Sequence, residues 1–135
     1  MFAKFLDVET DGAFKFFADP EWAPISRAIS ALDGRIKTLV CLEGERGMHM
    51  NIGGGAGEGY VVALTYDSTK YYTLIDPAAT GDAVPVRIGG HVREYLPDML
   101  VSKEVAMKAA KIFAETGAAE PSLHWRDTVP DGEPK

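Results

Sequence analysis

The clearest alternation of apolar and polar positions lies near the C-terminus, between Val101 and Gly117. Apolar residues recur there at the three- and four-residue spacing of one helix face, and charged residues occupy the opposite face. Ser102 is placed to cap the helix, because its hydroxyl can accept a hydrogen bond from a free backbone N–H of the first turn. Gly117 suits the left-handed residue after a helix end, and Pro121 prevents the helix from resuming. The pattern predicts an amphipathic helix with a structural role, followed by a short apolar segment at Leu123–Trp125.

A second helix is predicted near the N-terminus, where Pro24 suits a first helical turn. Its apolar stripe consists of Trp22, Ile25, Ile29 and Leu32. Asp33-Gly34 ends it. The phenylalanines that precede this helix predict two short strands around a turn at Asp7–Gly12.

The middle of the chain alternates short apolar runs with polar turns. The predicted strands are Thr38–Leu42, Met48–Ile52, Tyr60–Tyr66, Tyr71–Ile75, Val84–Ile88, Val92–Tyr95 and Met99–Val101. Their connections are too short for crossover helices, so the strands are expected to pair antiparallel. The fold class predicted is α+β, an antiparallel β-meander sheet packed by an N-terminal and a C-terminal helix. Residues 1–129 are expected to form a single domain and residues 130–135 a disordered tail.

Composition and charge narrow the possible partners. The 135 residues are 46% apolar and 25% charged, as in ordinary soluble domains. Fourteen Lys and Arg residues against twenty Asp and Glu residues give a net charge of −6, and residues 41–100 hold eight acids against four bases. This balance argues against direct nucleic-acid binding and suits a basic protein partner. No signal peptide is recognisable and no apolar run reaches the ~18 residues of a membrane span, so we expect a cytoplasmic protein without membrane association.

Motifs for chemistry are weak. Cys41 is the only cysteine and lies in an apolar run, which indicates a small buried hydrophobe. Gly53–Gly59 matches neither a phosphate-binding loop nor a dinucleotide fingerprint, and Gly89-Gly90 indicates a bulge or a close backbone approach. The histidines, His49, His91 and His124, show no metal-ligand spacing.

We therefore predict no catalytic residue, no cofactor and no metal. Two alternatives stay open at this point. One is a small enzyme that uses Cys41 or a histidine in a pocket assembled by the fold. The other is a ligand-binding module that uses the Gly53–Gly59 loop.

Several short segments follow one another in a characteristic order. They are Leu32-Asp33-Gly34 after a helix, a Thr-Leu-Val strand, Ile-Gly-Gly-Gly before a Tyr-Val-Val strand, Gly89-Gly90, Val-Ser-Lys-Glu, Phe-Ala-Glu-Thr-Gly at 113–117, and Leu-His-Trp. Over roughly residues 20–127 this order resembles the first-numbered (type 1) immunity family of bacterial polymorphic toxin systems. That family includes immunity partners of secreted double-stranded-DNA cytidine deaminase toxins.

The resemblance implies an antitoxin in the cytoplasm that binds the C-terminal domain of its cognate toxin, one to one, and occludes its active site. A toxin that acts on nucleic acid, such as a deaminase or nuclease, needs a basic groove, and a carboxylate-bearing surface is its complement. We expect the contacts at acids near the turns of the meander and at two tyrosines. The expected toxin-binding residues are Glu43, Glu45, Glu58, Asp67, Asp82, Tyr66 and Tyr71.

Overall fold

The computed structural model describes residues 1–128, apart from the side chain of Ala56. The predicted domain end at 129 and the predicted tail at 130–135 lie outside the described residues. Helix α1 spans Trp22–Ser30 and helix α2 spans Lys103–Thr116. The strands are β1 Phe5–Thr10, β2 Ala13–Ala18, β3 Leu39–Glu43, β4 His49–Gly55, β5 Gly59–Thr65, β6 Tyr71–Ile75, β7 Val84–Ile88, β8 His91–Tyr95 and β9 His124–Thr128. No helix in this range is long and apolar enough to cross a bilayer.

Seven strands form one antiparallel sheet in the order β2-β1-β3-β4-β5-β6-β9. The α+β class predicted from the sequence is confirmed. The apolar segment predicted at Leu123–Trp125 leads into β9. This strand pairs with β6 and forms one edge of the sheet. Trp125 lies opposite Leu74 there, and its indole N–H donates to the carbonyl of Glu120 at 3.1 Å.

Both helices pack on one face of the sheet around the main core. The core combines the apolar stripes of the helices with alternate residues of the strands, and Ile25, Ile29 and Phe113 are fully buried in it. The predicted ends of α2 are confirmed. Ser102 Oγ accepts a hydrogen bond from the backbone N–H of Val105 at 3.2 Å, and Gly117 adopts a left-handed φ of 78°.

The sequence predicts that β7 and β8 continue the meander. They instead form a separate two-stranded hairpin. Gly89 and Gly90, with φ of 62° and 86°, make its two-residue turn, so they are a hairpin turn rather than a bulge. The hairpin packs over the sheet face opposite the helices, around the second core. That core consists of Val61, Val86, Tyr95 and Met99. The predicted strand Met99–Val101 is wrong: residues 97–99 form a 3-10 turn, and Val101 makes a single bridge to Tyr60.

Candidate protein-binding face

The sheet face that the helices leave uncovered, here called the open face, carries a row of side chains from five neighbouring strands. By register these are Phe16, Asp7, Cys41, Asn51 and Ala63. Along β1, β3, β4 and β5 the residues next to this row point the other way and belong to, or pack against, the main core. The open face is therefore built by strand alternation from both polar and apolar residues.

The next row across the open face consists of Phe5, Glu43, His49, Thr65 and Tyr71. Two pairs of aromatic rings are in contact on this face. Phe5 meets Phe16 of the first row edge to face at 5.8 Å, and His49 meets Tyr71 at 5.9 Å. Aromatic side chains therefore lie on both sides of the carboxylates of Asp7 and Glu43.

The β7–β8 hairpin covers one end of the open face and leaves a cleft of about 390 Å³ beneath it. Asn51 and Ala63 lie on the floor of the cleft, Phe14 forms one wall, and His91 and Arg93 line the hairpin side. The other end of the open face, around Asp7 and Glu43, lies beyond the cleft lining.

Glu9 anchors the hairpin to the sheet. Its fully buried carboxylate accepts hydrogen bonds from the backbone N–H of Gly12 and from the N–H and hydroxyl of Thr38. Burial alone would raise the pKa of Glu9, but these hydrogen bonds outweigh it and lower the pKa below its ordinary value. The Thr38 hydroxyl in turn accepts the backbone N–H of Gly90 at 3.2 Å. The role of Glu9 is structural, since it holds the start of β3 and two turns together.

Asp7 has one buried carboxylate oxygen, Oδ1, that receives no hydrogen bond from the residues at 1–128. Potential ligand atoms of Asp7, Cys41 and Glu43 lie within 4.8 Å of one another, which is the only such set of three among residues 1–128. Burial, and secondarily the charge of Glu43, raises the pKa of Asp7 to about 6.

The same surroundings decide the chemistry of Cys41. Burial, followed by the charges of Asp7 and Glu43, raises the pKa of its thiol to about 12. The sequence predicts a small buried hydrophobe here, but the residue is only partly buried and its thiol lies on the open face. A thiolate is disfavoured at neutral pH, which argues against Cys41 as a nucleophile.

Gly53, Gly54 and Gly55 are packing positions, whereas a Cβ on Gly57 would meet nothing within 4 Å. A Cβ on Gly53 would lie 2.6 Å from the Ile88 side chain, and one on Gly55 would lie 2.6 Å from the backbone of Leu32. Backbone therefore approaches closely at Gly55, and β4 extends through this residue, so that Gly53–Gly55 belong to a strand rather than to a free loop.

Residues 20–127 match the family described as Immunity protein Imm1. The chain belongs to this family. No match to a curated protein was found. The chain is therefore an immunity protein, that is, an antitoxin that binds a cognate toxin. Strands β1 and β2 precede the matched range, so Asp7 and Phe16 belong to a part of the open face outside the family match.

Some of the toxin-binding residues expected from the sequence come together in this immunity protein. Glu43 and Tyr71 lie on the open face, and Glu45 lies in the exposed turn that follows β3. The turn with Asp67 is adjacent, since Ser68 Oγ donates to the carbonyl of Gly47 at 2.8 Å. Hydrogen bonds from the N–H groups of Lys70 and Thr69 lower the pKa of Asp67 to about 2, so its carboxylate organises its own turn.

The other expected residues are dispersed. The Tyr66 hydroxyl accepts the backbone N–H of Ala119 at 3.1 Å, beyond the end of α2, which turns this side chain toward the helix side. Glu58 lies in the 3-10 turn between β4 and β5, at the other end of these strands from Glu45. Asp82 lies in the connection between β6 and β7.

Sequence reasoning missed the aromatic residues of β2 and the buried carboxylate of Asp7 as parts of the site. All six residues of β2 are exposed, although three of them are phenylalanines. The available signal was the segment Phe14-Lys15-Phe16-Phe17, which has aromatic residues on both faces of one strand. β2 lies at the sheet edge and exposes phenylalanine rings on both faces, and exposed apolar surface of this kind marks an interaction site.

Proposed function

We propose that this immunity protein inhibits its cognate toxin by binding, without catalysis, and that the open face contacts the toxin. The observation that carries the proposal is the group of exposed aromatic side chains beside buried or half-buried carboxylates. Phe5, Phe14 and Phe16 are 39%, 53% and 64% exposed. Aromatic side chains around a polar centre are typical of the residues that dominate binding energy in protein interfaces.

The distribution of charge favours the open face, rather than the other large concave surface, as the toxin contact. That second surface, of about 560 Å³, lies on the helix side between β2 and α1, with an apolar floor and Lys15, Arg27 and Lys37 around it. None of these three cations forms an ion pair with a carboxylate in the described part of the chain. A basic toxin surface is repelled by this groove and attracted by Asp7 and Glu43.

The toxin is proposed to be a domain that acts on nucleic acid, such as a deaminase or nuclease, because such a domain needs a basic substrate groove. The immunity protein would occlude that groove in a one-to-one complex in the cytoplasm of the producing cell. Glu43 and Tyr71 would contact the toxin from the open face, with Glu45 and Asp67 at its rim. Peripheral contacts are proposed for Glu58, Asp82 and Tyr66.

The first test is co-expression with the toxin domain encoded next to this gene. Wild-type protein should restore growth of cells that produce the toxin, and purified proteins should form a stable complex. If the protein neither protects growth nor forms a complex with the toxin domain, the proposed pairing is refuted.

The second test measures the Kd for this toxin after charge reversal. Glu43→Lys and Glu45→Lys should each weaken binding by about tenfold or more, because each replaces an attraction by a repulsion. Glu104→Lys reverses an exposed acid on α2, in the helix layer, and serves as the matched control with unchanged Kd. If Glu43→Lys and Glu45→Lys both bind like wild type, as the control does, the acidic surface is not the toxin contact. The membership in the immunity protein family is unaffected by that result.

A further inference from the structure

Asp7 occupies an unusual position for a carboxylate. It lies on β1, next to the edge strand β2, and only 8% of its surface is exposed. Its Oδ1 receives no hydrogen bond within residues 1–128. Buried polar groups in folded proteins are almost always paired, so a buried acceptor of this kind is available to a donor from outside the chain.

The groups that face Asp7 from neighbouring strands supply no positive charge. β3 contributes Glu43 and Cys41, β2 contributes Phe16, and His49 of β4 lies opposite Glu43. The raised pKa of Asp7 has the same origin, burial first and the charge of Glu43 second. At neutral pH a carboxyl with a pKa of about 6 is still mostly ionised, so two negative charges lie side by side.

Aromatic rings flank this pair of carboxylates. Phe16 is opposite Asp7 and Phe5 is opposite Glu43, and the two rings meet edge to face. A guanidinium suits such a site better than an ammonium, because it is planar, stacks on aromatic rings and donates hydrogen bonds to two carboxylates at once.

We propose that Asp7 and Glu43 form the binding site for one arginine side chain of the cognate toxin, with Phe5 and Phe16 excluding water around it. This proposal rests on the proposed function, since it names the chemistry of the toxin at the same face. The carboxylates supply the charge and hydrogen-bond acceptors, and the rings supply the apolar contact that makes a charged pair strong.

The test uses the full chain and the toxin domain encoded beside it, and begins with the Kd of wild-type protein. Asp7→Asn and Glu43→Gln keep the size of each side chain and remove its charge, and each should weaken binding by about 10- to 100-fold. Glu104→Gln on α2 is the matched control and should not change the Kd. A double-mutant cycle between Asp7→Asn and each toxin arginine, replaced in turn by alanine, should identify one arginine whose effect is lost when Asp7 is neutral.

A pH series tests whether the loss of binding comes from the charge of Asp7. The ratio of the two Kd values, Asp7→Asn over wild type, should shrink about tenfold between pH 7.5 and pH 5, because a carboxyl with a pKa of about 6 is largely protonated at pH 5. A defect caused by the amide group itself would leave the ratio constant, and a constant ratio would overturn the proposal.

Three further results would also overturn it. Wild-type-like affinity of Asp7→Asn would exclude Asp7 from the interface while leaving the proposed function intact. Coupling to a toxin lysine, or to no basic residue, would contradict the assignment of an arginine. Saturable binding of Zn²⁺ alone that disappears in Asp7→Asn would assign the cluster to a metal ion instead. If wild type itself fails to bind the toxin, the proposed function fails first.

Discussion

Replacing Asp7 with asparagine should stabilise the free protein, in contrast to most substitutions of buried residues. The pKa of Asp7 is raised from 3.8 to about 6 by burial and by Glu43. A folded-state pKa above the unfolded value means that ionisation opposes folding, so the chain loses stability as the pH rises through this window. The shift corresponds to a penalty of about 3 kcal/mol at neutral pH, which water at the open face reduces to about 1–2 kcal/mol.

Asparagine has nearly the same shape and carries no charge, so it removes this penalty. Urea denaturation at pH 7.5 should show Asp7→Asn to be about 1–2 kcal/mol more stable than wild type, or about 3–6 °C higher in Tm. The gain should vanish near pH 4, where the folded wild type holds Asp7 in its neutral form.

Asp19→Asn is the matched control, because Asp19 is exposed and asparagine tolerates its φ of 50°. It should leave stability unchanged at both pH values. A loss of stability in Asp7→Asn at pH 7.5, or an equal gain at pH 4 and pH 7.5, would refute the conclusion that Asp7 carries an uncompensated charge. A variant that folds better and binds toxin worse would show that this position serves binding at the expense of stability.

Three further predictions concern the supports of the open face. Glu9→Gln should lower the free energy of unfolding by about 2–4 kcal/mol at neutral pH, because it removes a buried charged acceptor. Since the pKa of Glu9 is lowered in the folded protein, calorimetry should show that this difference shrinks as the pH falls through that pKa. Gly53→Ala places a Cβ 2.6 Å from Ile88 and should cost about 1–3 kcal/mol in thermal denaturation, whereas an unchanged Tm would contradict the close packing of the hairpin. Alkylation of Cys41 by iodoacetamide at pH 8 should be about a hundredfold or more slower in native than in urea-unfolded protein, and faster in Asp7→Asn than in wild type. Equal native and unfolded rates would show that the thiol is not suppressed.

The regular elements could be predicted because local signals and tertiary packing agree in them. Helix α2 has its cap at Ser102, its apolar arc and its terminal Gly117, and each signal acts within one or two turns of the chain. Strand β9 escaped prediction because His124–Thr128 has no alternating pattern of its own and owes its conformation to pairing with β6. The strands β7 and β8 were predicted, but the position of their hairpin over the sheet was not, because it depends on the packing of the Ile88 side chain against Gly53.

The acidic character of the candidate site could be predicted from the sequence, but the residues that form it could be predicted only in part. Acidic surface could be read from composition, and of the acids chosen near turns Glu43 lies on the open face. Asp7 was not recognised because a carboxylate within a strand is ordinary until its register places it beside Glu43 without a donor. Burial and the absence of a partner are properties of the fold, which no local pattern in one sequence reports.

The most direct test of the open face as the toxin-binding surface uses two neighbouring residues of one strand. Phe16 and Phe17 are 64% and 48% exposed on the edge strand β2, but Phe16 faces the open face and Phe17 faces the basic groove on the helix side. Calorimetric titration of the cognate toxin domain into each alanine variant compares the two faces with nearly equal loss of apolar surface. Phe16→Ala should weaken binding by about tenfold or more, whereas Phe17→Ala should bind within about twofold of wild type. Equal affinities, or a larger loss in Phe17→Ala, would contradict the assignment of the open face as the toxin-binding surface.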